Sequence, residues 1–297
     1  MALTINTNIS SLVAQNNLAK ATSSLNTAIE RMTTGYKINH ASDNAAGYSI
    51  ARNWETQLGS LDVAADNAAT GADMLTTLED TYALVTSHLQ RVRDLTEQAA
   101  NGTYGSQSLK AIQSEITARL EEVDRIAANC EFNGLKMMAG TMSDISIQVG
   151  LYGDDDSKIE LSNTLFAEGD VESLFTTYGG MATGATVEDI AEACSGYDNT
   201  NNKIVGGQAD MLTKIDSVIN EISSRVTTLG AAQNRIDSAI ESIAVQSENI
   251  TSSLSTLRDA DIAEESSNYI QAQILQQAAA TLLATANQTP SIALNLL

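Results

Sequence analysis

The chain offers few side chains that could carry out covalent chemistry. Its only histidines are His40 and His88, and no His-Glu-x-x-His run sets two of them on one helix face to hold a metal. A Ser/His/Asp arrangement has no convincing histidine to act as base. Asp154-Asp155-Asp156 has the charge to attract a cation, but the EF-hand pattern is missing, so the run reads as a solvated turn. Two cysteines, Cys130 and Cys194, make no disulfide framework. Cys130, beside Phe132, reads as packing, and Cys194 as incidental, with an exposed thiol left open. Trp54 reads as a packing anchor in a connector. No catalytic residue, metal ligand or cofactor site is expected, and an enzyme has no constellation behind it.

The elements that would position any site are helical. The 297 residues hold 37 Asp and Glu against 16 Lys and Arg, a formal charge of -21. That argues against nucleic acid as a main partner, because phosphate binding needs clustered cations, and against an anionic membrane surface. Aromatics are only 4% of the chain, less ring area than an enzyme core of this size normally uses. The single proline is Pro290. An interior proline costs a helix about 3 kcal/mol, so this chain is free to form very long ones.

Charge is absent from Met1 to Ala19 and again from Ser266 to Leu297. Neither end is a membrane span, since both are rich in Asn, Gln and Ser where about 20 mostly apolar residues would be needed. The start lacks the basic and apolar blocks of a secretory signal, so an extracellular location requires another export route. Neutral Ala- and Gln-rich helices suit burial against other helices, where charge is costly. Frayed tails are the alternative, and both hold if the ends are loose in the monomer and ordered on assembly.

A 4-3 spacing runs from Ile215 through Ile219, Ile222, Val226, Leu229, Gln233, Ile236, Ile240, Ile243, Ser247, Ile250, Leu254 and Leu257, with only Gln233 and Ser247 breaking it. It predicts a helix roughly 65 Å long packed along another helix. Leu61, Ala65, Ala68, Ala72, Leu75, Leu78, Tyr82, Val85, Leu89 and Val92 form a second stripe with one slip after Leu75. Leu109, Ile112, Ile116, Leu120 and Val123 form a third, with Ser106 as its N-cap and Asn133-Gly134 as its end. Leu18, Ala21, Leu25, Ala28 and Met32 give a stripe near the start, and Ala263, Ile270, Ile274, Thr281 and Ala284 a weaker one near the end.

The middle differs. Ile145, Ile147 and Val149 alternate, as do Ile159 and Leu161, around Gly153-Asp154-Asp155-Asp156, which predicts a β-hairpin. Residues 140–215 hold thirteen acids and three bases and read as a small, solvated outer piece. The fold expected is mainly α: an elongated antiparallel helical rod or coiled coil, with a small β-hairpin region and a short α/β or irregular outer insertion.

Seven motifs along the chain carry a resemblance to one protein family. Met1-Ala-Leu-Thr-Ile-Asn-Thr-Asn-Ile9 is similar to the family's start, and Arg31-Met-Thr-Thr-Gly-Tyr-Lys-Ile-Asn39 with Asp43-Asn-Ala-Ala-Gly47 to its next block. Gln90-Arg-Val-Arg-Asp-Leu95, Ala100-Asn-Gly-Thr103 and Phe132-Asn-Gly134 follow in order, then Leu229-Gly-Ala-Ala-Gln-Asn-Arg235 and Ser266-Ser-Asn-Tyr-Ile-Gln-Ala-Gln-Ile-Leu275. Seven motifs in order, over residues 1–140 and 208–297, are highly specific together, and through them the chain resembles the bacterial flagellins. Residues 165–207 carry no such match.

The resemblance implies a structural subunit that polymerises into the extracellular flagellar filament for motility, exported partly unfolded through a type III channel. It implies an inner helix and spoke start over 1–42, core helices with the hairpin over 43–164, a short variable outer insertion over 165–207, the long core helix over 208–257 and a C-terminal inner helix over 258–297. Ile5, Ile9, Leu12, Leu18, Leu25, Ile270, Ile274 and Leu282 are the expected polymerisation residues. Ordering neutral ends of about 40 and 30 residues costs roughly 1–2 kcal/mol of backbone entropy per residue, which burial against neighbouring copies would offset. Expected partners are further copies of the chain, the flagellar cap, the hook–filament junction and an export chaperone. The family's contact motif for the innate immune Toll-like receptor matches Gln90, Arg91, Leu95 and Glu115. Arg91 and Leu95 share one helix face, and Leu95, off the Leu89/Val92 stripe, is expected to be exposed. The opposing reading puts Arg91, Arg93, Asp94 and Glu115 on solvated faces and in salt bridges. The nearest rival function is a hook–filament junction protein, which shares the end-to-end plan; a helical signalling rod explains neither the neutral ends nor the acidic hairpin. Glycans on the outer Ser and Thr, as in some relatives, stay open.

Overall fold

The computed structural model describes residues 7–201 and 203–295, with side chains up to Gln288. These residues form two compact units. One comprises the chain up to Gly59 and from Ser247 onward; the other is Ser60–Gln246.

In the first unit, α1 (Ile9–Thr34) starts at Asn8, whose side chain accepts from the Ser11 amide, and stops at Gly35, which takes the left-handed conformation at φ 76°. α2 (Ala45–Ala99) and α6 (Gln208–Arg258) each give part of their length to this unit, and α7 (Ile262–Asn295) completes it. α1 and α7 are antiparallel: Arg31 pairs with Glu265 and Thr22 with Gln276, while Asn8 reaches Ala286. Their seam repeats every seven residues. On α1 it is Ser11 and Ala14, then Leu18, Ala21, Leu25, Ala28 and Met32, the last five as the spacing predicts. On α7 it is Glu265, Tyr269, Ala272, Gln276, Ala279, Leu283 and Ala286. The expected α7 stripe of Ala263, Ile270, Ile274, Thr281 and Ala284 is therefore corrected, because all five are exposed. The fully buried seam positions are Ala14, Ala21, Ala28, Ala272 and Ala279 with Glu265, and the larger seam residues stand half-buried beside them.

The breaks after α1 and before α7 lie side by side. Tyr36 and Asp259 form an antiparallel β-bridge, flanked by Lys37 N–H donating to Arg258 O at 2.7 Å and Ala260 N–H to Gly35 O at 2.8 Å. The Arg258 guanidinium stacks 4.0 Å from the Tyr36 ring centroid and pairs with Glu55.

In the second unit, α2 and α6 are antiparallel, as Arg93–Asp216 and Glu79–Gln233 show. Their seams are cleaner than the predicted ones. On α2 the buried line is Leu61, Ala64, Ala68, Gly71, Leu75, Leu78, Tyr82, Val85, Leu89, Val92, Thr96 and Ala99. Ala64 and Gly71 replace Ala65 and Ala72, and the slip disappears. On α6 it is Met211, Ile215, Val218, Ile222, Arg225, Leu229, Ala232 and Ile236. The predicted Ile219, Val226 and Gln233 flank this line half-buried. Residues three and four apart both fall on one helix face, so apolarity alone does not choose between Val218 and Ile219.

α3 (Ser106–Asn129) buries Leu109, Ile112, Ile116, Leu120 and Val123 as predicted. Its N-cap is Gly105, with Ser106 the first helical residue, and Asn133-Gly134 lies beyond its end. Those two residues, at φ 48° and 83°, turn a short hairpin between β1 (Glu131–Phe132) and β2 (Leu135–Lys136), since two positive φ values make the turn a tight hairpin asks for. The second hairpin is where alternation placed it. β3 (Ile145–Gln148) pairs with β4 (Lys158–Leu161), Ile147 opposite Ile159 and Ile145 opposite Leu161.

Residues 165–207 hold α4 (Val171–Thr177), α5 (Val187–Ser195) and the hairpin β5 (Tyr197–Asp198) with β6 (Lys203–Ile204). The expectation of a wholly solvated piece is corrected. Phe166, Val171, Leu174, Phe175, Ile190, Ala191, Cys194 and Tyr197 are buried in the same core as α2, α3 and α6. The acids sit on the outer side, and α5 lies along α3.

Candidate functional site

Two surfaces gather the residues singled out by sequence. The first is the α1–α7 pair. Leu18 and Leu25 stand half-buried in its seam. Ile9, Leu12, Ile270, Ile274 and Leu282 point away from it, at 54–69% exposure; Ile5 lies outside the described residues. Val13, Ile29, Ile262 and Leu275 are exposed too. The pair is thus built largely inside out, with alanine at its fully buried positions and most of the described isoleucine and leucine outside. Ile270, Ile274 and Leu275 line one stretch of surface and Ile9, Val13 and Leu282 another, and grouped exposed apolar side chains mark an interaction face. Across the seam the polar contacts are specific: Arg31 Nη1 to Glu265 Oε1 at 3.0 Å, Gln276 Nε2 to Thr22 Oγ1 at 3.1 Å, and Ser11 Oγ to Asn287 Oδ1 at 2.7 Å. Glu265 is buried, so its charge depends on Arg31 for compensation.

The second surface lies on α2 and α3. Arg91 donates from Nε at 3.0 Å and from Nη2 at 2.9 Å to the same Glu115 oxygen. Gln90 is exposed one position earlier. Arg91, Gln90 and Glu115 are therefore brought together, but Leu95 is not exposed with them. It is 1% exposed, and the expectation that it stands on the surface is corrected. Leu95 is one helical turn from Arg91, whose partner Glu115 belongs to α3, so α3 covers this side of α2. Thr96, its neighbour, is buried as well. Two packed sides widen the buried arc of α2 beyond a single seam. Arg93, on the other flank, pairs with Asp216 at 2.6 Å and with Glu97 at 3.4 Å.

Sequence reasoning missed Arg225. It occupies a seam position of α6 at 5% exposure, bound to Glu221, to the Tyr178 hydroxyl and to the Glu168 carbonyl. The signal was present: counting Ile215, Val218, Ile222 by alternate threes and fours lands on Arg225, with Glu221 four residues before it as an ion-pair partner.

The remaining chemistry-bearing residues are dispersed. His40 meets Glu30 at 2.8 Å on the surface, and His88 lies half-buried on α2. Both cysteines are buried and free. Burial pushes the Cys194 thiol up to about 12 against a smaller opposing hydrogen bond from Thr96, and burial also raises Cys130. Among the described residues no group of three or more His, Cys, Asp or Glu is placed to hold a metal ion, and no helix is long and apolar enough to cross a membrane.

Comparison with known proteins agrees with this layout. The family model of the bacterial flagellin N-terminal helical region matches residues 5–143, and that of the bacterial flagellin C-terminal helical region matches residues 212–297. The chain is 35% identical over 313 residues to a flagellin of Xenorhabdus nematophila and 32% identical over 376 residues to polar flagellin F of Vibrio parahaemolyticus, with 100% of both partners covered in each case. Among solved structures, a flagellar hook-associated protein from Vibrio parahaemolyticus shares the fold at a TM-score of 0.57 and 13% identity, over 73% of this chain and 100% of that one. With helical regions matched at both ends and full-length relatives above 30% identity, the chain belongs to the bacterial flagellins.

Proposed function

We infer that the chain is the structural subunit of a bacterial flagellar filament, a helical homopolymer outside the cell. The inside-out α1–α7 pair carries this reading. An alanine seam removes little apolar area per turn, while fixing each backbone residue costs about 1–2 kcal/mol. Helices of 26 and 34 residues therefore need further burial, which the exposed Ile9, Leu12, Ile270, Ile274 and Leu282 offer to other copies. Folding of the ends is thereby coupled to polymerisation. In this reading residues 1–42 and 258–297 form the inner layer, 43–164 and 208–257 the core, and 165–207 the outward elaboration. The cap, the hook–filament junction and an export chaperone are its assembly partners. A chain lacking 266–297 should keep the Ser60–Gln246 unit folded and form no filaments by electron microscopy; normal filaments would refute the assignment. A hook–filament junction role has less support, because the full-length relatives are flagellins and the hook-associated likeness is one of fold alone.

A second reading concerns the α2–α3 surface. Gln90, Arg91 and Glu115 form the contact surface for the innate immune Toll-like receptor, with Leu95 as the packed floor that sets the spacing of α2 and α3. The matched motif and the Arg91–Glu115 pair support it. Arg91→Asp should sharply reduce receptor pull-down, and unchanged capture would remove the assignment.

A further inference from the structure

Three helices of the Ser60–Gln246 unit turn one polar side chain each onto the same seven residues of backbone. Tyr82 of α2, fully buried, donates its hydroxyl to Leu165 O at 3.0 Å. Asp124 of α3 accepts the Val171 amide at 2.7 Å. Arg225 of α6 donates to Glu168 O at 3.1 Å and reaches Ala167 O at 3.5 Å. The same guanidinium holds the Tyr178 hydroxyl at 3.1 Å, just past α4. The stretch also sends Phe166 and Val171 into the core with no exposed surface. It lies outside both matched family regions, which end at 143 and resume at 212, whereas its three holders lie inside them.

The dependence runs both ways. The carbonyls of 165, 167 and 168 lie in a 3₁₀ turn and the loop after it, where no ladder supplies donors; the bond at Leu165 is buried and those at 167 and 168 partly so, and a carbonyl that loses its donor away from water is costly. In the other direction, Arg225 without those carbonyls and Tyr178 keeps a cation in the core with Glu221 alone. Breaking up a buried charged network is far more disruptive than its net contribution suggests. Undocking would also open the space filled by Phe166 and Phe175. Neither the helices nor the segment is left satisfied alone.

We propose that residues 165–171 are a conformational latch, closed by Tyr82, Asp124 and Arg225, that makes segment 165–207 and the α2–α3–α6 core open and close as one cooperative unit. This goes beyond the filament role: it states that the segment outside the family matches is a required part of the folded subunit and not a removable outer decoration.

The test is amide hydrogen exchange on the full-length monomer, kept below the concentration at which it polymerises. With the latch, the slowest amides of α4 and α5 open together with the slowest of α3 and of residues 208–246. Arg225→Met then accelerates all of them by a common factor of roughly ten to a hundred. Should Arg225→Met fail to fold, Tyr82→Phe removes one hydroxyl at nearly constant volume and decides by the same comparison. Acceleration confined to 165–207, with α3 and 208–246 unchanged, would overturn the proposal; so would unchanged exchange everywhere in both variants.

Discussion

Ile147 of β3 packs onto Gly71 of α2 so closely that a Cβ on Gly71 would collide with the Ile147 Cδ1. This is where the β3–β4 hairpin seats on the helix. In an open helix interior Gly→Ala gains about 0.5–1 kcal/mol. Here only the Cδ1 end of Ile147 must turn aside, within a buried site, so Gly71→Ala is expected to forfeit that gain and lose up to about 1 kcal/mol by overpacking. The denaturant midpoint should fall at unchanged slope, and Ile147→Ala in the same chain should relieve the clash. A stabilised Gly71→Ala would show that the hairpin yields at no cost.

The Arg31–Glu265 pair spans α1 and α7 with its carboxylate buried. Arg31→Met leaves that charge without its partner. Filaments of this variant should dissociate at lower temperature than wild type, and Arg31→Met combined with Glu265→Gln should recover much of the difference. A double-variant loss equal to the sum of the losses of Arg31→Met and Glu265→Gln alone would mean that the pair carries no coupling.

Asp124 gives a pH dependence whose sign follows from its surroundings. Burial raises its pKa most, and Asp170, Glu121 and Glu172 add to the rise against the Val171 amide. Its folded pKa thus lies above the unfolded one, so the folded state binds more protons in the window between them, and stability falls as pH rises through it. Asp124→Asn should flatten that part of the stability curve measured by denaturant titration. A wild-type-minus-variant difference that grows with pH in favour of the wild type would contradict the assignment.

Neither thiol should react while the chain is folded. Cys194 and Cys130 are buried with raised pKa values, and thiolate is the reactive form. Iodoacetamide at pH 8 should label both only in denaturant, as read by intact mass; rapid labelling of the native protein would show that the packing around α5 opens.

Much of this fold could be read from the chain because it is written in large apolar side chains. The α3 stripe and the Ile147/Ile159 hairpin stood where spacing put them. Where structure and sequence differ, neither apolarity nor charge by itself decides which side chains are buried. On α7 the fully buried seam positions are Glu265, Ala272 and Ala279, while Ile270 and Ile274 face outward. On α6 a buried cation, Arg225, was passed over for Val226 next to it. Leu95 was expected outside because a single seam was assumed, whereas α2 is packed on two sides. Residues 165–207 looked solvated because their acids outnumber their bases, yet the apolar residues between those acids reach the core. The Arg91–Glu115 pair was legible only through the family motif, since charge spacing within α2 says nothing about α3.

Filament assembly of the variant Ile270→Ser/Ile274→Ser/Leu282→Ser tests the central claim most directly. These three side chains are exposed, so their loss should leave the stability of the Ser60–Gln246 unit within about 0.5 kcal/mol of wild type. The account predicts a folded, soluble subunit that forms no filaments under conditions where wild type does. Filaments of normal length and thermal resistance from this variant would contradict it.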